Sequence, residues 1–269
     1  MKDKIVIITG ASSGIGKALA YEFGNKGAKL VLAARSLSNL EAVVSDLHKL
    51  CIEAIAVQTD VTIETDCQNL IDKTLRHFGR IDVLINNAGI SMRALFIDLQ
   101  LDVMRRLMDT NYWGTVYCSK FAMPYLLETS GSLVGVISIG GYIGMPGRSG
   151  YSASKFAVRG FLDTVRVENR KTGLHVLVVA PGFTSSNIRR AALLADGSVQ
   201  GETPRDEDHM MAAEEVALHV YKAVIKRKRH LILTFFQGKL TVFLGKFLPK
   251  FIDKQIYNTF AGEPASPLK

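Results

Sequence analysis

The stretch "KIVIITGASSGIG", Lys4–Gly16, decides the reading of this chain. Ile5–Ile8 is an unbroken apolar, mostly β-branched run. Such a run suits a strand covered on both faces of a parallel sheet better than a half-exposed strand, which would alternate. It stops at Thr9 and Gly10, and from Ile15 to Lys26 the apolar residues recur at helical spacing. The turn between carries Gly10, Gly14 and Gly16 in a G-x-x-x-G-x-G spacing. Gly10 can take a tight turn, and the missing side chains let the backbone approach a pyrophosphate at the N-terminus of the helix that Ile15 opens. Ser12 and Ser13 add hydroxyl donors. A glycine-rich turn with no ligand is the plainer alternative; its place directly after the first strand favours the ligand.

The same alternation extends outward. Short apolar runs recur at Lys29–Ala34, Ala54–Thr59, Ile81–Asn86, Ser132–Ile139, Leu174–Ala180 and His230–Thr234. Helical patterns lie between them at Leu37–Leu50, Ile63–Phe78, Leu101–Glu128, Ser152–Lys171 and Ala213–Lys226. Strict β-α alternation predicts an α/β fold, a doubly wound sheet of seven parallel strands with helices on both faces. No Pro/Gly/Ser linker divides residues 1–238, which read as one catalytic domain. The polar stretch from Ser185, containing "ADGSVQGETPRDED" (Ala195–Asp208), is expected to form a mobile substrate loop, about 185–212, over the carboxyl ends of the strands.

The end of the second strand selects the dinucleotide. An NAD site usually places an acid there for the ribose 2′-hydroxyl. Here the sequence is "LAARS", with no acid, and Arg35 stands ready to pair with a 2′-phosphate. Lys17 adds positive charge nearby. A solvated loop arginine is the alternative; the missing acid favours NADP(H).

Seven elements in register resemble the short-chain dehydrogenase/reductase family: "TGASSGIG" (Thr9–Gly16), "DV" (Asp60–Val61), "NNAG" (Asn86–Gly89), Asn111 in "DTNYWG", Ser138 in "VISI", "YSASK" (Tyr151–Lys155) and "PGFTSS" (Pro181–Ser186). The resemblance spans about Met1 to Thr234. It implies a Rossmann-type fold and NADP(H)-dependent exchange of hydride between a nicotinamide and a carbonyl or secondary alcohol. It further implies that Asp60 and Val61 meet the adenine and that Asn87, Ala88 and Gly89 line the cofactor. Pro181 and Gly182 would shape the turn beside the nicotinamide, with Thr184 and Ser186 where family members usually carry an aliphatic residue and a threonine.

Tyr151 and Lys155 are an i, i+4 pair and project from one face of a helix. A free tyrosine titrates near ~10, too high for easy proton exchange at neutral pH. A neighbouring ammonium, together with a positive nicotinamide ring, favours phenolate. The family pattern therefore implies Tyr151 as proton donor or acceptor. Lys155 would lower its pKa and hydrogen-bond the nicotinamide ribose. Ser138 would hold the substrate oxygen, and Asn111 would orient a water for proton relay.

The remaining features concern partners. The formal charge is +8, and all of it lies from Lys222 onward, where ten Lys/Arg face two acids. In "GKLTVFLGKFLPKFIDKQIYNTF" (Gly238–Phe260), Leu240, Phe243, Leu244, Phe247, Phe251 and Ile252 recur at helical spacing beside Lys239, Lys246, Lys250 and Lys254. Residues 239–269 thus read as a basic amphipathic extension that Pro249 divides into two short helices. It can lie on an anionic membrane, cover the substrate cleft or form a subunit interface. "AAEEVALHVYKAVIKRKRHLIL" (Ala212–Leu233) resembles membrane-associated members such as the 11β-hydroxysteroid dehydrogenase group, which implies a lipophilic substrate. The family habit of pairing the helices of Asn111 and Tyr151 implies a homodimer or homotetramer. No reading motif for nucleic acid accompanies the charge. The N-terminus holds no signal-peptide pattern and no ~18-residue apolar span occurs, so the expected place is the cytoplasm, with peripheral membrane contact. Cys51, Cys67 and Cys118 are read as free thiols, and no metal site is expected. Two other functions fit the same residues: a 3-oxoacyl (carrier-protein) reductase docking an acidic partner through the tail, and a non-catalytic NADP(H)-binding redox sensor.

Overall fold

The apolar runs pair into a single sheet. The computed structural model describes residues 1–185, 187–203, 210–264 and 266–268. Its strands are β1 (Ile5–Thr9), β2 (Lys29–Ala34), β3 (Ala54–Gln58), β4 (Val83–Asn86), β5 (Ser132–Val136), β6 (His175–Ala180) and β7 (His230–Ile232). All are parallel, in the order β3-β2-β1-β4-β5-β6-β7. The near-continuous apolar runs have the reason given by composition: β1, β4, β5 and β6 are buried along their whole length.

Helices cover both faces. Helix α1 (Gly14–Asn25) packs on α7 (Ala213–Ile225), and α2 (Leu37–Lys49) covers β3 on the same side. Helices α3 (Glu64–Phe78), α5 (Gly114–Glu128) and α6 (Ser149–Glu168) cover the other. Gly135 in β5 lets α6 lie close: a Cβ there would stand 2.3 Å from Leu162 Cδ1. The strand order reverses direction between β1 and β4, and ligands of such sheets bind in the crevice at that switch.

A polar clamp holds the opposite end of those two strands. Asp82, buried just before β4, accepts from Ile5 N at 3.0 Å and from Lys4 Nζ at 2.9 Å. Arg80 adds Nε at 3.0 Å and Nη2 at 2.6 Å.

Three parts add to the sequence reading or differ from it. The helix expected over Leu101–Glu128 is α4 (Leu101–Leu107), a π-type turn at Met108–Trp113, then α5. The wide turn carries Asn111, and π-type turns concentrate at functional sites. In the stretch read as a mobile substrate loop, where it is described, Leu193 bridges to Met92 and Val199, and Ala192 and Leu193 are buried. In the tail, a π-type turn at Phe235–Leu240 leads into α8 (Thr241–Leu244), and Pro249 starts α9 (Pro249–Ala261). Of the stripe read as the apolar face, Ile252 is buried, while Phe243, Phe247 and Phe251 are exposed. The three cysteines are free thiols.

Candidate active site

The glycine turn is built from β1 outward. Gly10 adopts φ +66°, a left-handed conformation that a side chain strains, and a Cβ there would meet Ala88 Cα at 2.9 Å. Thr9 Oγ1 accepts from the backbone N–H of Asn87 and of Ala88, both at 3.0 Å. Asn87 Nδ2 returns to Thr9 O at 2.9 Å and Gly10 O at 3.3 Å. The carboxyl ends of β1 and β4 are thereby fastened together at the switch point. Asn87 staples the turn as well as lining the space beside it, a role spacing does not disclose.

That space is a cleft of about 450 Å³. Its walls include Gly10, Ser12, Ser13, Gly14 and Ile15 from the turn, Arg35 after β2, Asp60 and Val61 after β3, and Ala88 and Gly89 after β4. The N-terminus of α1 faces it with no acid in the first turn, which suits a phosphate. Arg35 is exposed, and its carbonyl accepts from Gln58 Nε2 at 3.0 Å. Asp60 Oδ1 accepts from Thr62 N at 3.0 Å and Thr62 Oγ1 at 2.8 Å. Volume, donors and charge fit a dinucleotide. Lys17 is not among the residues that wall this cleft; its ammonium lies 5.9 Å from the Tyr21 ring centroid.

A second, narrower pocket of about 150 Å³ adjoins the cleft, and Ile15, Asn87 and Gly89 wall both. Ser138, Tyr151, Lys155, Pro181, Gly182 and Thr184 line it, so the fold brings these predicted residues together from β5, α6 and β6. Asn111 lies behind them. Its Oδ1 accepts from Ile90 N at 2.8 Å; its Nδ2 donates to Ile90 O at 3.0 Å and Ser154 Oγ at 2.9 Å. Both amide hydrogens are thus engaged by protein. Gly89 is where Asn111 and Lys155 converge: a Cβ there would stand 3.0 Å from Asn111 Oδ1 and 3.2 Å from Lys155 Nζ. Ser138 Oγ accepts from Gly140 N at 3.1 Å, and Thr184 Oγ1 donates to Gly182 O at 3.2 Å. Ser186 lies outside the described residues.

Burial governs the charges here. Lys155 is 4% exposed, its Nζ donates to Val136 O at 3.0 Å, and burial lowers its pKa to about 8. Burial raises the Tyr151 phenol above its ordinary value; the Ser138 hydroxyl and the Arg148 charge oppose that rise. Lys155 Nζ lies 5.9 Å from the Tyr151 ring centroid. The lowering expected from Lys155 together with a positive nicotinamide ring concerns the loaded site; in the protein alone burial sets the direction, and the groups that oppose it are Ser138 and Arg148.

Sequence reasoning missed Arg148, Met145, Phe183, Ile188 and Arg189, which also line the narrow pocket. Arg148 left a signal, a cation one turn before Tyr151. Phe183 lay inside the quoted "PGFTSS" stretch; Met145 and Ile188 left no signal, because an apolar residue outside a periodic element looks the same wherever it points.

The model of the family described as short chain dehydrogenase matches residues 4–195. The chain is 36% identical over 258 residues to dehydrogenase/reductase SDR family member 7B of Mus musculus, covering 93% of this chain and 79% of the mouse protein. It is 40% identical over 207 residues to 11-beta-hydroxysteroid dehydrogenase A of Arachis hypogaea, covering 76% of this chain and 58% of that protein. A solved short chain dehydrogenase/reductase from Burkholderia phymatum, in complex with NAD, shares the fold with a TM-score of 0.82 at 23% identity, covering 94% of this chain and 95% of that one. The alcohol dehydrogenase from Thermococcus sibiricus, complexed with 5-hydroxy-NADP, gives 0.77 at 24% identity, covering 86% and 96%. This chain belongs to the short-chain dehydrogenase/reductase family of oxidoreductases.

Proposed function

We propose that this protein is an NADPH-dependent oxidoreductase acting on a carbonyl or the corresponding secondary alcohol of a lipophilic molecule. The observation that carries this reading is the convergence of Ser138, Tyr151 and Lys155 on one small pocket that shares a wall with the dinucleotide-sized cleft. Gly10–Gly16, Asp60, Val61 and Asn87–Gly89 would hold the cofactor, with Arg35 on the 2′-phosphate and Pro181, Gly182, Thr184 and Ser186 toward the nicotinamide end. The bound cofactor supplies or accepts the hydride.

The chain supplies the proton and the geometry. The Ser138 hydroxyl donates to the substrate carbonyl oxygen and holds it beside Tyr151. The Tyr151 O–H bond breaks as its proton passes to that oxygen, which leaves as the alcohol hydroxyl; oxidation reverses the transfer. A phenol held neutral by burial is the competent acid for reduction at neutral pH. Lys155, still charged below about 8, stabilises the phenolate left behind. Asn111, with its amide hydrogens engaged, acts mainly by fixing Ile90 and the start of α6 around Lys155.

The apolar walls Ile139, Met145, Phe183 and Ile188 favour a lipophilic substrate. Residues 1–238 carry this chemistry; the extension from 239 is proposed to rest on a membrane surface of a cytoplasmic protein. Phe236 is 74% exposed and Phe247 67%, and Lys239, Lys246, Lys250 and Lys254 are exposed with them. Among the described residues no helix is long and apolar enough to cross a membrane. The decisive assay is NADPH oxidation against cyclohexanone, acetophenone, decanal and a polycyclic ketone, with NADH in parallel. Turnover with none, alongside tight NADPH binding, overturns the enzymatic reading and favours the redox sensor; saturation only with carrier-bound 3-oxoacyl groups favours the carrier-protein reductase.

A further inference from the structure

Arg148 sits where a cation is least expected. It immediately precedes α6, so its charge meets the positive end of the helix dipole, and it is 8% exposed. A buried cation in such a place needs specific partners. The loop after β4 provides two: Arg148 Nη1 donates to Ser91 Oγ at 2.9 Å and to Met92 O at 3.0 Å. The tail provides a third, the Phe260 ring, whose centroid lies 5.9 Å from the guanidinium carbon.

The tail is fastened to that same loop. Arg93 Nη2 donates to Pro264 O at 2.8 Å and pairs with Glu263 Oε2 at 3.4 Å. Glu263 is 5% exposed, so the pair is shielded from water. Ser266 Oγ donates to Phe260 O at 2.8 Å and holds the turn that presents both residues. Ala94 N donates to Gly147 O at 3.0 Å, which closes the loop onto the residue before Arg148. Arg148 then forms part of the narrow pocket with Tyr151 and Ser138.

We propose that Phe260, Glu263 and Pro264 form a clasp that holds Arg93 and Arg148 against the substrate pocket, and that Arg148 is a positioning residue for Tyr151. The proposal rests on the reading of Tyr151 as the proton carrier. The groups around that phenol are Lys155 and Arg148 from its own helix, Ser138 from the end of β5 and Arg189 from the segment after β6. Behind Arg148 stand Arg93 and Glu263. Arg148, held in place, favours the phenolate; released, it no longer does.

The test uses the full chain and the alcohol product of the fastest ketone in the panel above. It reads kcat and KM for NADP-linked oxidation across pH, NADPH affinity, and the melting midpoint. Arg148→Gln is expected to lower kcat at neutral pH about tenfold for each pH unit by which the inflection moves, with KM little changed, because Arg148 acts through Tyr151. It also moves the basic inflection of kcat to higher pH and leaves NADPH affinity unchanged. Glu263→Gln and Phe260→Leu move the inflection the same way by less. The sign discriminates. Acting only through space, removal of the Glu263 charge would favour phenolate and move the inflection to lower pH. A shift to lower pH, or none, in a variant that melts like the parent overturns the clasp. If Glu263→Gln melts below the assay temperature, Arg93→Lys keeps the charge without the paired geometry and is read in the same way. If Tyr151→Phe retains turnover, the assignment of the proton carrier fails instead.

Discussion

Tyr151 and Lys155 share one helix face, yet burial moves them in opposite directions: the phenol up, the ammonium down to about 8. Both shifts favour the neutral form, and the site works by limiting how far each goes. Tyr151→Phe removes the phenolic hydroxyl, and with it the exchangeable proton, while keeping the ring, so turnover should fall by ~10²–10⁴, the usual worth of general acid catalysis, with NADPH binding retained. Equilibrium fluorescence titration beside steady-state kinetics checks both halves. Lys155 gives a pH prediction. Its folded pKa lies below the ordinary lysine value, so it is charged below about 8 and loses that charge above it. The rate of carbonyl reduction should therefore decline as pH rises through about 8, and a profile flat to pH 10 contradicts the role. At the far end of the cleft, Arg35→Ala should lower the NADPH-to-NADH preference in kcat/KM by roughly tenfold or more, from the loss of a charge-assisted contact. An unchanged ratio removes Arg35 from the 2′-phosphate.

Elements fix these residues through few contacts, and several of those were invisible in the sequence. The seven parallel strands of a doubly wound sheet were legible, because near-continuous apolar runs in regular alternation with helices leave few topologies; the order of the strands was not. The gathering of Ser138, Tyr151, Lys155 and Thr184 was legible too, since each stands just past a strand end or on the first turns of a helix. The π-type turn that presents Asn111 was not: its residues have ordinary helical spacing, and the widening depends on how α4 and α5 meet the rest. The Arg148–Ser91–Met92 contacts were hidden because they join residues 56 and 57 positions apart. The clamp at Asp82 belongs to the same hidden class. Burial pushes its carboxyl up, but hydrogen bonds from Arg80, Ile5 N and Lys4 outweigh that, and its pKa is lowered. Stability from this group is present above the unfolded carboxylate value of about 4 and is lost as pH falls through the depressed folded value. Asp82→Asn should cost about 2 kcal/mol, less than a fully buried pair because Lys4 and Arg80 are half exposed. A fall of roughly 4–8 °C in the melting midpoint is the expected readout. The variant should also lose stability less steeply between pH 5 and about 3.

At the scale of the molecule, charge and exposed aromatic surface lie together on the C-terminal extension. If this surface seeks anionic lipid, the protein should float with phosphatidylserine-containing liposomes at low salt and be released as salt rises past the Debye regime of ~0.15 M. Replacing Phe243, Phe247 and Phe251 by serine should abolish flotation with no loss of NADPH binding. Exposed Trp113 and Phe156 on the helices of Asn111 and Tyr151 fit pairing of two copies, which light scattering at micromolar concentration resolves. A parallel sheet also gives the molecule two unlike poles. The chain enters the sheet at Ile5, beside the Asp82 clamp, at the pole remote from the cleft. Near its other end, among the described residues, Pro267 lies close to Gly147, next to the wall of the narrow pocket. A tether or fusion partner joined at Met1 therefore leaves the reaction mouth open, while the same cargo attached next to Pro267 and Leu268 crowds it. For anyone immobilising or labelling this protein, the front of the chain is the handle.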